Sequence, residues 1–281
     1  MLSTATALKK IDSIAIGGFD GMHYGHQHLF EELGENGAIL VIETGYANLT
    51  PSRERERFTH YPIEYYPLDS IRHLKGEEFI KKIKDQFPLL KKIVVGYDFH
   101  FGKDRKYSFN DLRTLFGGEV VVVDEVSLHN DSVHSHKIRA KLEIGDIKGA
   151  NQFLSHNYTI HGKVVKGQGI GKKELFATIN ILTDGFLIPK EGVYASLTRI
   201  DDSEHYYPSV SFLGHRVTTD GSFAIESHIL TDENIECKES ASISFIAFIR
   251  ENQRFENLIE LKTAIQKDIN LAKKELTFIA L

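Results

Sequence analysis

The stretch SIAIGGFDGMHYGHQHLFEEL (13–33) runs from a short β-branched segment, through four glycines within nine residues, into a helical pattern. SIAIG (13–17) reads as a buried strand and GHQHLFEEL (25–33) as a helix. Gly17, Gly18, Gly21 and Gly25 let the backbone come close to a ligand. His23 and His26 fall three apart at the start of the helix, a spacing that lets two side chains face the same way. Unpaired N–H groups at such a helix end attract anions. Two imidazoles beside it suit a phosphate that gains charge in a transition state. The competing readings are a plain glycine-rich turn and a metal site drawing on His28 and Asp20. The strand–glycine–helix context favours the anion site, because a tight metal site needs ligands converging at fixed geometry.

On either side the pattern repeats. AILVIE (38–43), KIVVGY (92–97) and EVVVVDEV (119–126) read as strands, and EEFIKKIKDQF (77–87) and FNDLRTLF (109–116) as helices. Strand and helix in alternation predict an α/β domain with a mainly parallel sheet, which binds ligands beyond the carboxyl ends of its strands. GYANLTPSRERERF (45–58) reads as a mobile loop, and KIRAKLEIGDIKGANQFL (137–154) as two helices broken at Gly145. Beyond it come short β-branched and aromatic segments without intervening helices, which predict a β-barrel. The amphipathic stretch 256–276 closes the chain as a helix. The expected division is 1–155 and 156–281.

Composition narrows the function. The 281 residues are 41% hydrophobic and 26% charged, an ordinary globular balance. A net charge of −5 leaves no basic field for nucleic acid, so small molecules are the expected partners. Cys237 is the only cysteine, which rules out an intrachain disulfide and a cysteine-rich zinc site. No apolar run approaches the ~20 residues of a bilayer span, and MLSTATALKK lacks a signal-peptide core. A cytoplasmic protein is expected.

GGFDGMHYGH (17–26) resembles the HxGH motif of the nucleotidylyltransferases, in the GxFDGxHxGH form of the bacterial bifunctional riboflavin kinase/FAD synthetases. GYDFHFGKDR (96–105) resembles that family's GxDFxFGxxR segment, and 133–154 its ISSTxIR motif with the helices that follow. The resemblance implies an N-terminal FMN adenylyltransferase domain, with Gly17, Phe19, Asp20, Gly25, Asp98, Phe101, Gly102 and Ser135 near the nucleotide. It implies catalytic roles for His23, His26 and Arg139, with Ser135 and Arg139 on the leaving pyrophosphate. An Arg fork pairs well with phosphate oxygens. His134 and His136 stand where the family has Ser and Thr. The segment 44–53 matches the family's flavin loop poorly, so no FMN contact carries over there.

KVVKGQGIGKKELFATIN (163–180) resembles the riboflavin kinase motif GxxLGFPTAN. As a bare pattern, Gly167, Gly169 and Gly171 fit a hairpin loop or a curl of backbone around phosphates. The resemblance implies a phosphate loop, with Thr178 and Asn180 on Mg²⁺ and ATP. It implies that Glu226, in FAIESHIL (223–230), is the general base toward the ribityl 5′-hydroxyl. Glu174, Leu175 and Ala177 depart from the motif, and Leu175 puts a side chain where the family has glycine. The expected fold is therefore an α/β nucleotidylyltransferase domain followed by a riboflavin-kinase-like β-barrel with a terminal helix. The expected chemistry makes FMN from riboflavin and FAD from FMN, with ATP as co-substrate. The alternative is a single-function FAD synthetase whose divergent barrel only binds flavin or ATP.

Overall fold

A computed structural model of the chain describes residues 10–166, 176–201, 203–216, 221–231 and 239–277. The chain divides into two compact units, Met1–Ser135 and His136–Leu281.

The first unit is built on five parallel strands: β1 (Ser13–Gly17), β2 (Gly37–Glu43), β3 (Ile63–Pro67), β4 (Lys92–Gly96) and β5 (Glu119–Val123). Their spatial order is β3-β2-β1-β4-β5. Side chains on a strand point alternately to its two faces, and the sequence obeys this on both sides of the sheet. Ile14, Ile16, Leu40, Ile93 and Val95 form one core with Phe79, Ile80 and Ile83 of helix α2 (Gly76–Gln86) and Leu112 and Phe116 of helix α3 (Phe109–Phe116). Ala15, Ile39, Val41 and Val94 turn the other way, against Leu29 and Phe30 of helix α1 (Tyr24–Glu31) and nearby Leu33. Covered on both faces, the strands have to be near-continuously apolar.

Two features depart from the sequence reading. Strand β3 was not expected; it is an edge strand that begins after Pro62 and ends at Pro67, so the prolines fall where no ladder bond is lost. The stretch read as a mobile loop is instead packed. Leu49 and Thr50 are buried, and Ser52–Phe58 forms a 3₁₀ helix that buries Arg55.

The second unit opens with helices α4 (Ser135–Ile144, whose first residue closes the first unit) and α5 (Ile147–Leu154), separated at Gly145 as expected. Six antiparallel strands follow: β6 (Thr159–Val165), β7 (Ile179–Leu182), β8 (Gly192–Ile200), β9 (Tyr206–His215), β10 (Phe223–Ile229) and β11 (Ser240–Glu251). They close into a barrel in the order β6-β7-β10-β9-β8-β11. Register shifts between β8 and β11 at Val193/Tyr194 and Ala195/Ser196 supply the bending that closure needs. One face of the strands carries Val193, Ala195, Leu197 and Val210, packed with Ile269, Ala272 and Leu276 of the terminal helix α6 (Leu258–Leu276). The opposite face carries a chain of buried hydroxyls, Ser211···Ser196···Ser209···Thr198···Ser227, linked at 2.6–2.9 Å. A hydroxyl can both donate and accept, so the three inner members, Ser196, Ser209 and Thr198, each bond two neighbours in the row. Arg250 of β11 grips buried Asp268 with a two-pronged bond at 2.9 and 2.7 Å and fixes the helix to the barrel. No helix among the described residues is long and apolar enough to cross a membrane.

Candidate active sites

In the parallel sheet the chain leaves β1 toward β2 and β3, then returns to the opposite side of β1 as β4. Loops after β1 and β4 therefore diverge, leaving a crevice at the carboxyl edge between them. The two sequence motifs of the first half occupy these loops, at 18–23 and 97–102.

His23 stands at the N-cap of α1 in extended geometry and makes no side-chain capping bond. Its ring lies on that of His26, with centroids 3.5 Å apart and planes 17° from parallel. Phe19 meets His26 edge-on at 5.1 Å. The Nδ1 of His26 is buried and has no hydrogen-bond partner among the described residues. Burial, then the neighbouring charges of His23, Arg55 and His134, hold the His26 imidazole well below its usual 6.5. At Gly25 a Cβ would stand 3.3 Å from the His23 ring, so any larger residue would press on the stack. Phe19 and Met22 take left-handed backbone at φ 47° and 45°, a strained loop of the kind found at ligand sites.

Asp20, expected near the nucleotide, turns its carboxylate to the backbone amides of Asn48, Leu49 and Thr50, at 3.3, 3.0 and 3.0 Å. Thr50 returns a hydroxyl acceptor to the Gly21 amide at 2.8 Å. Ser135, the first residue of α4, donates its hydroxyl to the Asp20 carbonyl at 2.8 Å. Arg139 follows one turn along that helix, half-buried. His134 and Tyr97 both bond Glu125, at 3.0 and 2.8 Å. Asp98 is exposed after β4, which Gly17 matches at the end of β1. Phe101 packs in the core between Phe79 and Tyr107, each 5.5 Å away. Gly102 has φ 69°, and a Cβ there would meet the Tyr107 ring at 2.6 Å.

Sequence reasoning missed Arg55. It is 1% exposed and donates to the Phe19 carbonyl at 3.3 Å and the Ser52 carbonyl at 3.0 Å. Burial weakens its hold on its proton, and Asp20 partly restores it. In a run of alternating Arg and Glu every cation looks solvated, and only the tertiary fold distinguishes this one.

In the barrel, Asn180 of β7 and Glu226 of β10 are direct cross-strand partners. Asn180 is buried and donates its amide to Thr178 at 3.4 Å. Arg216, just past β9, donates one nitrogen, Nη2, to both Asn180 Oδ1 at 2.8 Å and Glu226 Oε1 at 2.5 Å. Its Nε reaches the same carboxylate oxygen at 2.9 Å. Gly167, Gly169 and Gly171 lie outside the described residues. No group of three His, Cys, Asp or Glu among the described residues could hold a metal. Thr178, Asn180 and Glu226 instead offer a hydroxyl, an amide oxygen and a carboxylate, a hard-oxygen set that fits Mg²⁺ shared with phosphates.

Residues 47–137 match the FAD synthetase family and residues 154–276 the riboflavin kinase family. Curated relatives that join both activities align over almost the whole chain. One is the bifunctional riboflavin kinase/FMN adenylyltransferase of Listeria monocytogenes, 27% identical over 91% of this chain and 89% of that protein. The Pseudomonas fluorescens protein of the same name is 28% identical over 92% and 91%.

The chain belongs to the bifunctional riboflavin kinase/FAD synthetase family.

The family's Escherichia coli member is 26% identical over 91% of this chain and 90% of its own. A crystal structure titled as a macrolide-efflux protein from Streptococcus pneumoniae shares the fold, with a TM-score of 0.80 and 24% identity over 94% of each chain. The family's riboflavin kinase match spans the barrel and α6. Its FAD synthetase match begins after GGFDGMHYGH.

Proposed function

We propose that the chain makes FAD from riboflavin in two ATP-dependent steps, the first in 156–281 and the second in 1–155. Riboflavin and ATP give FMN and ADP in the barrel; FMN and a second ATP give FAD and pyrophosphate at the histidine loop. The observation that carries this reading is the stacked His23–His26 pair at the N-terminus of α1, at the switch point of the sheet, in a chain whose two halves match the two families.

In the adenylyl step the FMN phosphate attacks the α-phosphorus in line, the new P–O bond forming as the bond to pyrophosphate breaks. No side chain has to form a bond. The first-turn amides of α1 and the two imidazoles position the phosphates and take up developing charge. Arg139 is assigned the leaving pyrophosphate, and Asp20 holds the loop that carries the histidines.

In the kinase step Glu226 accepts the proton of the ribityl 5′-hydroxyl as that oxygen attacks the γ-phosphorus and ADP departs. Thr178 and Asn180 would hold Mg²⁺, which when bound neutralises phosphate charge. The reactants are small, diffusible metabolites, in keeping with a cytoplasmic enzyme. Incubating the protein with riboflavin, ATP and Mg²⁺ and separating flavins by chromatography tests the whole reading. FMN appearing first and FAD later is expected. FAD formed only when FMN is supplied would reduce the chain to a synthetase, and no FAD from either flavin would reject the assignment.

A further inference from the structure

The barrel site contains a group that neither step requires. Asn180 Oδ1, assigned above to the cation, and Glu226 Oε1, assigned to the substrate hydroxyl, both accept from a single nitrogen of Arg216, at 2.8 and 2.5 Å. The guanidinium is not there by accident of a loose side chain. Arg216 donates its backbone N–H to the Ser222 carbonyl at 2.9 Å, and its own carbonyl accepts from Gly221 at 3.1 Å. Its Nη1 is tied to Ser222 Oγ at 2.8 Å. Both Arg216 and Glu226 are mostly covered, with side-chain exposures of 17% and 23%, so water screens the pair only in part.

We propose that Arg216 is a positioning residue of the kinase step that holds the metal's place: its guanidinium and the divalent cation compete for Asn180. The inference rests on the kinase reading given above. A positive group that gathers two oxygens on one nitrogen keeps them converged and keeps the part-buried carboxylate paired. A cation that takes Asn180 Oδ1 would have to displace the guanidinium from it, so the arginine keeps this oxygen occupied until a metal competes for it.

The decisive measurement is divalent-metal affinity, read by Mn²⁺ electron paramagnetic resonance on the full chain with riboflavin and a non-hydrolysable ATP analogue. Sites lost in Asn180→Ala identify the barrel's share of the binding. Arg216→Gln should tighten that share by about tenfold, the scale of one charge-assisted bond removed from competition, and should lower the Mg²⁺ needed for half-maximal FMN formation in parallel. Ser222→Ala, which loosens the Arg216 anchor without touching Asn180 or Glu226, should shift both in the same direction by less, and it serves if the first variant misfolds. Unchanged or weaker Mn²⁺ binding in the variants, with Asn180→Ala still losing sites, overturns the competition. If Asn180→Ala loses no sites and the wild-type chain makes no FMN, the kinase reading itself has failed.

Discussion

The ring of His26 lies face to face with that of His23, 3.5 Å between centroids, at the first turn of α1. Two imidazoles this close cannot both be protonated, since each positive charge opposes the other. Burial of His26 acts in the same direction and is the larger cause. His26 is therefore neutral at pH 7. His26→Ala should lower FAD formation from FMN by ~100-fold or more, the usual cost of one preorganised donor. FMN formation from riboflavin should stay near wild type.

The same ring makes stability depend on pH with a definite sign. The unfolded histidine titrates near 6.5 and the folded one well below it, so between those values the unfolded chain binds more protons. Folding stability then falls as pH drops below 6.5, by at most about 1.4 kcal/mol per pH unit for one group. Denaturant titrations at pH 7.5 and 5.5 should show a smaller loss for His26→Gln than for wild type. An equal loss in both would place the titration elsewhere.

Arg55 couples the packed 3₁₀ helix to this histidine. It holds the Phe19 carbonyl, and its charge is among the causes that keep His26 neutral. Arg55→Met should therefore shift the acid limb of the FAD-formation profile to higher pH, because protonated His26 is no longer opposed by that cation. It should also cost roughly 3 kcal/mol or more of stability, since Asp20 and two carbonyls lose a buried cation. A destabilised variant with an unmoved pH profile would leave Arg55 a purely structural role.

How much of this was legible in the sequence differs by element. Strands β1, β2, β4 and β5 and the break at Gly145 announced themselves, because apolar runs and glycine punctuation are local signals. The nearness of His23 and His26 was legible for the same reason: both lie within ten consecutive residues. Strand β3 was hidden by its flanking prolines. Arg55 was hidden because its burial depends on Phe19, 36 positions away. Phe101 shows the converse. Its motif suggested the nucleotide, while its surroundings are the aromatic core of Phe79 and Tyr107. The Arg216 bridge joins residues from three strands or their ends, and no spacing rule brings Asn180, Arg216 and Glu226 together.

Gly25 offers a test of the stack that adds no charge and removes no functional group. A methyl group there would press on His23 at 3.3 Å, so the ring has to move by a few tenths of an ångström. Small displacements of positioning groups are costly to rate. Gly25→Ala should lower FAD formation by about tenfold with little change in thermal midpoint, as alanine favours the helix it joins. A large fall in midpoint with full activity would mean that the glycine serves folding alone.

The barrel chemistry separates from the rest by mutation of one strand pair. Asn180 and Glu226 face each other across β7 and β10, yet their proposed roles differ, Asn180 toward the cation and Glu226, whose carboxylate lies beside it, toward the substrate hydroxyl. Glu226→Gln keeps the shape and the bond acceptor for Arg216 but cannot take a proton at neutral pH. It should reduce FMN formation by ~100-fold or more at saturating Mg²⁺, in the range of general-base contributions. Asn180→Ala should instead raise the Mg²⁺ requirement, with part of the loss recovered at high metal. Both variants should convert supplied FMN to FAD at nearly the wild-type rate, because the histidine loop is built without them. Parallel loss of FAD formation in either variant would show that the two reactions do not run at independent sites.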